Sequence, residues 1–418
     1  MSPLRALRTR IPDRNLWVVY ATTWVLATAY GLALATTPLV LIARDFADGD
    51  IGATASWFGA GIVSFAVPSG WIIRRFGARR TLVVCILGYA SMIALFPYLP
   101  ELWQIGINRY FDGAFSVGVW VSCETLLLLR APKEHKAFAT SLYAIATGLG
   151  YFIGGGICWA LVRVISLQQV FLIAACVAAL SSLIALFRLD DDPPALHAEE
   201  ERHGAANLRE WIDLGWRIKT SSFATFCTGF FQSSVVIFLP AYLHYVKGVP
   251  ENDTTLVTAV SAGGMLVISN VAGRIGDRRG HLFVLRGLAI VGVVVLLSFV
   301  PLTSFPVMLA AVLIGGGCLA SIPPLSLALQ GAIAKPTEYA RSNSIFNVFF
   351  ATGLLTGPFI TGQVSETVGR EAILYVFAAL WIGMIVLSVI FRKDDPATRP
   401  RPVALPTELT PATTPPSA

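Results

Sequence analysis

The chain has 418 residues, 55% of them hydrophobic and only 13% charged, with a net charge of +6 and a mean hydropathy of +0.68. Soluble domains carry about 25% charged residues, so this balance excludes a soluble globular protein. It leaves a chain that crosses a bilayer many times as helices, because a helix satisfies its own backbone hydrogen bonds in hydrocarbon.

The N-terminal stretch MSPLRALRTRIPDRN is basic and leads into an apolar run too long for the core of a cleaved signal peptide, so a retained first span is expected. Runs of about 20 residues suffice to cross the hydrocarbon. They follow in order at 16–42, 52–73, 81–99, 102–129, 137–162, 168–187, 221–243, 254–274, 282–301, 305–330, 340–364 and 372–391. Residues 188–219 are polar, proline-punctuated and then amphipathic, which predicts a central loop. Residues 392–418, rich in Pro and Thr, predict a disordered tail. The expected domains are thus an N-terminal six-helix bundle over 1–187, the loop, a C-terminal six-helix bundle over 220–391, and the tail.

Lys and Arg set the orientation, since they are retained on the cytoplasmic side. With a cytoplasmic N-terminus, the inside segments hold 26 of them and the outside segments only Arg44, Arg163, Lys247 and Arg370. Both termini and the central loop are therefore expected in the cytoplasm. The basic charge then reflects topology, and no nucleic-acid partner is expected. Cys85, Cys123, Cys158, Cys176, Cys227 and Cys318 all fall in apolar runs without CxxC or metal-ligand spacing. They read as small buried hydrophobes.

Two charged turns share a pattern. GWIIRRFGARR at 70–80 and GRIGDRRGH at 273–281 each follow the second span of a half; Gly70, Arg75 and Gly77 align with Gly273, Arg278 and Gly280 at an offset of 203. ATGL at 146–149 returns at 351–354, an offset of 205, and Gly113 matches Gly317 at 204. Three echoes near one period predict two six-helix halves in parallel repeat.

The fourth run holds Arg109, Asp112 and Glu124. A charge at mid-bilayer costs at least about 2.5–3.5 kcal/mol, so such groups face a protein interior or a cavity. At 100° per residue, Arg109, Gly113, Ser116, Trp120 and Glu124 share one stripe about 80° wide, with Asp112 beside Arg109. One reading is a binding and coupling face: Arg109 and the aromatic wall of Trp120 take substrate, and Asp112 and Glu124 carry protons. The other is an Arg109–Asp112 pair that locks packing, with Glu124 reaching the cytoplasmic interface. Tyr30, Gln232 and Asn347 are further candidates for substrate contact, and for the latter two helix–helix hydrogen bonding is the equal alternative. All five histidines lie in loops or at span ends, and no HExxH, GxSxG or phosphate-loop motif occurs. No enzyme, metal or cofactor is expected.

On these residues the chain resembles the major facilitator superfamily over nearly its whole length, to about residue 391. The family's loop signature G-x-x-x-D-R-x-G-R-R is matched by Gly273, Asp277, Arg278 and Gly280. The first half keeps Gly70, Arg75, Gly77, Arg79 and Arg80, with Arg74 where the family has Asp. Arg109-x-x-x-Gly113 looks like the R-x-x-x-G motif of proton-coupled antiporters, and GLGYFIGGG at 148–156 resembles an antiporter motif with Tyr151 in place of its proline. The resemblance implies an all-α membrane fold of twelve transmembrane helices in two pseudo-symmetric bundles. It also implies alternating access and a gating role for Gly70, Arg75, Gly77, Gly273, Asp277, Arg278 and Gly280. The expected function is proton-coupled efflux of small amphipathic or organic molecules; the alternative is proton-coupled import of an organic anion bound by Arg109. The expected partners are a small-molecule substrate, protons and the lipid bilayer, for a monomer in the bacterial inner membrane.

Overall fold

The computed structural model describes residues 11–131, 136–190, 208–335 and 338–395. Among these residues the regular structure is entirely helical. The long helices are α1 (Arg14–Ile42), α2 (Asp48–Phe76), α3 (Ala78–Leu95), α4 (Leu102–Arg130), α5 (Lys136–Leu161) and α6 (Leu167–Arg188), then α7 (Lys219–Tyr245), α8 (Leu256–Arg279), α9 (His281–Phe299), α10 (Phe305–Ile333), α11 (Tyr339–Thr367) and α12 (Ala372–Ile390). Ten of these are long and apolar enough to cross a membrane. The other two, α2 and α4, are 29 residues each and pack against one another in the same bundle. Ends are set by local chemistry: Asp13 accepts from the Asn15 amide at 2.8 Å to start α1, and Ser166 with Gln169 forms a reciprocal cap on α6.

The halves repeat each other helix for helix. α1 packs on α5 and α6, and α2 on α4; equivalently α7 packs on α11, and α8 on α10. The packing also fixes the register of the repeat. Gly113 of α4 sits against the Phe58 backbone, and its counterpart against Ser261 is Gly316, one residue short of the expected Gly317. Gly61 against Tyr110 is likewise mirrored by Gly264 against Leu313, so the bundle cores repeat at 203, the offset of the two charged turns. The ATGL echo at 205 is not a structural match. Gly353 packs on Phe226 and Phe230 as Gly150 packs on Trp24 and Ala27, whereas Gly148 faces Met265 and Leu266.

The charged turns need glycine for a backbone reason. Gly77 (φ 87°, ψ 151°) joins α2 to α3, and Gly280 (φ 99°, ψ 140°) joins α8 to α9. Both occupy a region that is essentially closed to residues with a Cβ. Arg75 and Arg278 are exposed, and open space surrounds Gly273. The side chains of Arg74 and Asp277 are outside the described set.

Alternate helices run in opposite directions, so one face carries the start of α1 and the end of α12, and the far face carries the start of α2 and the end of α11. The halves meet along two seams, α2 with α11 and α5 with α8. Small residues bring the backbones together: Gly52 abuts Pro358 and Gly362, Gly59 abuts Leu354, and Gly155 abuts Ala259. Most of these contacts lie in the far half of the molecule. On the terminal face the described ion pairs stay within a half or its connecting helix: Arg130 with Asp13, Lys219 with Asp394, Arg217 with Glu338, and Arg341 with Glu210.

Three sequence expectations change in detail. The second part of the central loop is a helix, Leu208–Arg217, held by Leu214 and Ile218 against Ile333, Ala334 and Ile345. The tail does not begin at 392. Asp394 pairs with Lys219 at 2.7 Å, and the Asp395 carboxylate accepts the Leu282 amide at 3.0 Å, fixing residues 392–395 to the start of α7 and α9. Residues 396–418 lie outside the described set. Finally, Cys176 is exposed on α6, while Cys123, Cys158, Cys227 and Cys318 are buried.

Candidate functional site: a cavity between the halves

A cavity of about 880 Å³, part of it open to solvent, sits between the halves. Helices α1 to α6 supply most of its wall; Gln232 and its neighbours on α7 and Leu354 on α11 supply the rest. Seven aromatic side chains stand in the wall, Tyr30, Phe58, Tyr89, Phe96, Trp120, Tyr151 and Phe171, among aliphatic and a few polar ones. Tyr30 is its centre. It stacks on Tyr89 at 4.0 Å between ring centroids and lies 6.5 Å from Trp120 and 6.3 Å from Tyr151. Such pairs add about 0.5–1.5 kcal/mol each beyond area burial, which makes this side of the cavity stiff.

One ion pair crosses that wall. Arg109 and Asp112 are three residues apart on α4 and in direct contact, with Asp112 only 2% exposed. The guanidinium also lies over the Phe58 ring, 4.5 Å from its centroid. The other Asp112 oxygen accepts from Ser116 Oγ at 3.4 Å, and Ser116 in turn accepts from the Tyr30 hydroxyl at 2.6 Å. The result is a chain, Tyr30–Ser116–Asp112–Arg109, with every member but Ser116 on the cavity wall. Removing one partner of a buried pair costs about 3–5 kcal/mol, because the other charge is left unpaired. Among the described residues, Arg109 is the single Lys, Arg or His on this wall.

Five of the seven residues expected to couple or bind therefore line one cavity: Tyr30, Arg109, Asp112, Trp120 and Gln232. Glu124 and Asn347 do not. Glu124 is exposed one turn beyond Trp120 on the terminal side of α4, and Asn347 is exposed two turns before Leu354 on α11. Sequence reasoning missed Tyr89 and Asn108. Asn108 is an amide at membrane depth, the signal that singled out Gln232; it donates to the Met92 carbonyl at 3.0 Å. Tyr89 is 2% exposed and its hydroxyl has no hydrogen-bond partner among the described residues. No sequence pattern separates it from an ordinary core tyrosine.

Comparison with known proteins supports this architecture. The family model described as the Major Facilitator Superfamily matches residues 19–304 and 221–416. The chain belongs to the major facilitator superfamily. Its fold and relatives are those of membrane transporters, not enzymes. It is 22% identical over 399 residues to a protein of Cupriavidus necator named as the probable sulfoacetate transporter SauU, covering 88% of this chain and 92% of that one. It is 24% identical over 384 residues to a protein of Agrobacterium vitis that bears the name "Putative tartrate transporter", covering 84% and 83%. Among solved structures, the nucleoside transporter NupG superposes with a TM-score of 0.73 at 14% identity, covering 91% of this chain and 99% of that one. A bacterial homologue of the human lysosomal transporter Spinster, in an inward-facing and occupied conformation, gives 0.64 at 13% identity, covering 90% and 93%.

Proposed function

We propose that this transporter carries a small organic anion, seated by its carboxylate or sulfonate on Arg109, together with a proton taken by Asp112. The observation that carries this reading is the Arg109–Asp112 pair on the cavity wall. With Asp112 ionised, Arg109 already has its counter-ion, and an arriving anion would share a low-dielectric space with a carboxylate. With Asp112 protonated, the guanidinium is free to form two parallel hydrogen bonds to the anion. Anion and proton then favour each other's binding by the same factor, as linkage requires. Ser116 and Tyr30 give the protonated carboxyl a hydrogen-bonded place to remain. The aromatic wall would hold the apolar body of the cargo, and Gln232 and Leu354 would carry the contact to the other half. The names of the two relatives, one for sulfoacetate and one for tartrate, agree with an anionic cargo.

Taking the terminal face as cytoplasmic, the far-side seams close the cavity from outside and the molecule is inward-open, with exposed Glu124 beside the exit. One proton carried with a monoanion moves no net charge, and with a dianion it moves one negative charge inward. The pH component of an inward proton gradient, about 1.4 kcal/mol per pH unit, would then drive import. Import of an anion takes precedence over the efflux suggested by the motifs, because Arg109 is the one cation among the described residues of the wall. The test is uptake of labelled sulfoacetate and tartrate into proteoliposomes with an alkaline interior. Saturable uptake that rises with external acidity and is lost in Arg109→Gln is expected. Gradient-driven extrusion of an amphipathic cation such as tetraphenylphosphonium, with no anion flux, would overturn it.

A further inference from the structure

The far face carries two ion pairs that no substrate argument uses. Asp48, the first residue of α2, meets Arg370, which lies just beyond α11: Nη2 donates to Oδ1 at 3.1 Å and Nε stands 2.9 Å from Oδ2. Ser365 also donates to Asp48, and Glu366 accepts the Gly49 amide at 3.0 Å. On the other seam Asp253, in the turn Glu251–Thr254 before α8, meets Arg163, which lies just beyond α5. Trp159 donates to the same Asp253 oxygen at 3.1 Å.

These two clusters are one design used twice. Each joins an aspartate at the start of the second helix of one half to an arginine just past the fifth helix of the other half. The repeat that maps α2 onto α8 and α5 onto α11 therefore places both pairs at equivalent helix ends, although at the core offset of 203 Asp48 aligns with Glu251 and Arg163 with Glu366. The likeness extends to the arginine's bed. Arg370 lies on the Tyr245 ring and Arg163 on the Trp159 ring, each 4.0 Å from the centroid. A lone surface ion pair contributes about 0–1 kcal/mol and needs no role. Two related by the repeat, each bridging the halves and each on a different seam, are placed where the far side must open.

We infer that Asp48–Arg370 and Asp253–Arg163 are paired clasps that hold the far side of the cavity shut, and that each transport cycle breaks both. The clasps are unequal. Asp48 is 8% exposed and held by Ser365 as well, so opening must rehydrate a buried carboxylate. Asp253 and Arg163 are each about a third exposed, at 30% and 34%, and solvent screens them. Asp48–Arg370 is the main lock, and Asp253–Arg163 steadies it. This inference concerns the gate and is independent of the cargo.

The experiment places a reporter cysteine at Ala55, on the α2 wall of the cavity, in the full-length chain with its six native cysteines replaced. Labelling by a membrane-impermeant maleimide added to the far side is then timed. Asp48→Asn and Arg370→Gln should each speed labelling by about tenfold, and the double variant should label no faster than either single one. Asp253→Asn and Arg163→Gln should speed it by about two- to threefold, again without adding to each other. If monodisperse Asp48→Asn and Arg370→Gln proteins label at the parent rate, or if the double variant's rate is the product of the two singles, the clasp is not a lock.

Discussion

Helices α4 and α10 hold the same place in the two halves and pack through equivalent glycines, yet they share almost none of the chemistry. Opposite Arg109, Asp112, Ser116 and Trp120 of α4, at the structural offset of 203, stand Val312, Gly315, Leu319 and Pro323 of α10. The first set builds the cavity's ion pair and aromatic wall; no residue of α10 lines the cavity. The difference separates two duties of the repeat. Symmetry serves the motion, because like seams can close and open in like ways. Asymmetry serves the cargo, which needs one charged site rather than two.

The comparison breaks most visibly at the ion pair. Arg109→Gln should lower kcat/KM for anion uptake by at least about 100-fold, since it removes the anion's seat and leaves Asp112 without its counter-charge. Asp112→Asn, which fixes the pair in the state that protonation gives, should instead keep anion binding and lose the dependence of uptake on external acidity. Gly315→Ala, at the position equivalent to Asp112, should stay within about twofold, because the added methyl meets only Val295 at an ordinary 3.5 Å. A large loss in Gly315→Ala would mean that α10 also shapes the site.

The symmetric duty predicts equal damage. A methyl group at Gly113 runs into the Phe58 carbonyl, and one at Gly316 into the Ser261 backbone. Each alanine substitution should cost about 1–3 kcal/mol by overpacking, read as similar drops in the melting temperature of purified protein. A drop in only one would show that the halves are not equally tight.

Tyr89 gives a smaller effect. Tyr89→Phe removes a hydroxyl with no partner among the described residues, so stability should hold while KM rises about two- to tenfold if the cargo uses that donor. The smallest effect lies outside the membrane, in the C-terminal half. Although desolvation pushes the other way, the Lys335 amide and the Arg217 guanidinium hold the Glu338 carboxyl below its usual range. Its contribution to stability is therefore present above the ordinary carboxylate pKa and fades as pH falls through the lowered value. The melting temperatures of Glu338→Gln and parent should differ at neutral pH and converge in acid.

Much of this was legible in the sequence, for physical reasons. Apolar runs of span length have one stable geometry in lipid, so α1 to α12 could be marked within a few residues. Arg109 and Asp112 stood out because charge at that depth demands an interior partner. Composition says much less about which way a side chain looks once the helix is placed. Glu124 shares the stripe of Arg109 but lies past the cavity's end, and Asn347 is two turns below the wall it was expected to join. The repeat register came out one residue off at Gly317 and two off at ATGL, because short glycine strings match at several offsets and only backbone contacts choose among them. The clasps escaped because Asp48, Arg163, Asp253 and Arg370 sit in or beside turns of unequal length, where the period is blurred.

The central claim is that Asp112 exchanges Arg109 for a proton when an organic anion binds. Isothermal titration calorimetry of sulfoacetate or tartrate into the purified protein, repeated in buffers of different ionisation enthalpy, counts the protons taken up. The account predicts about one proton per anion in the parent and none in Asp112→Asn. Anion binding with no proton uptake in the parent, or with the same uptake in Asp112→Asn, would contradict it.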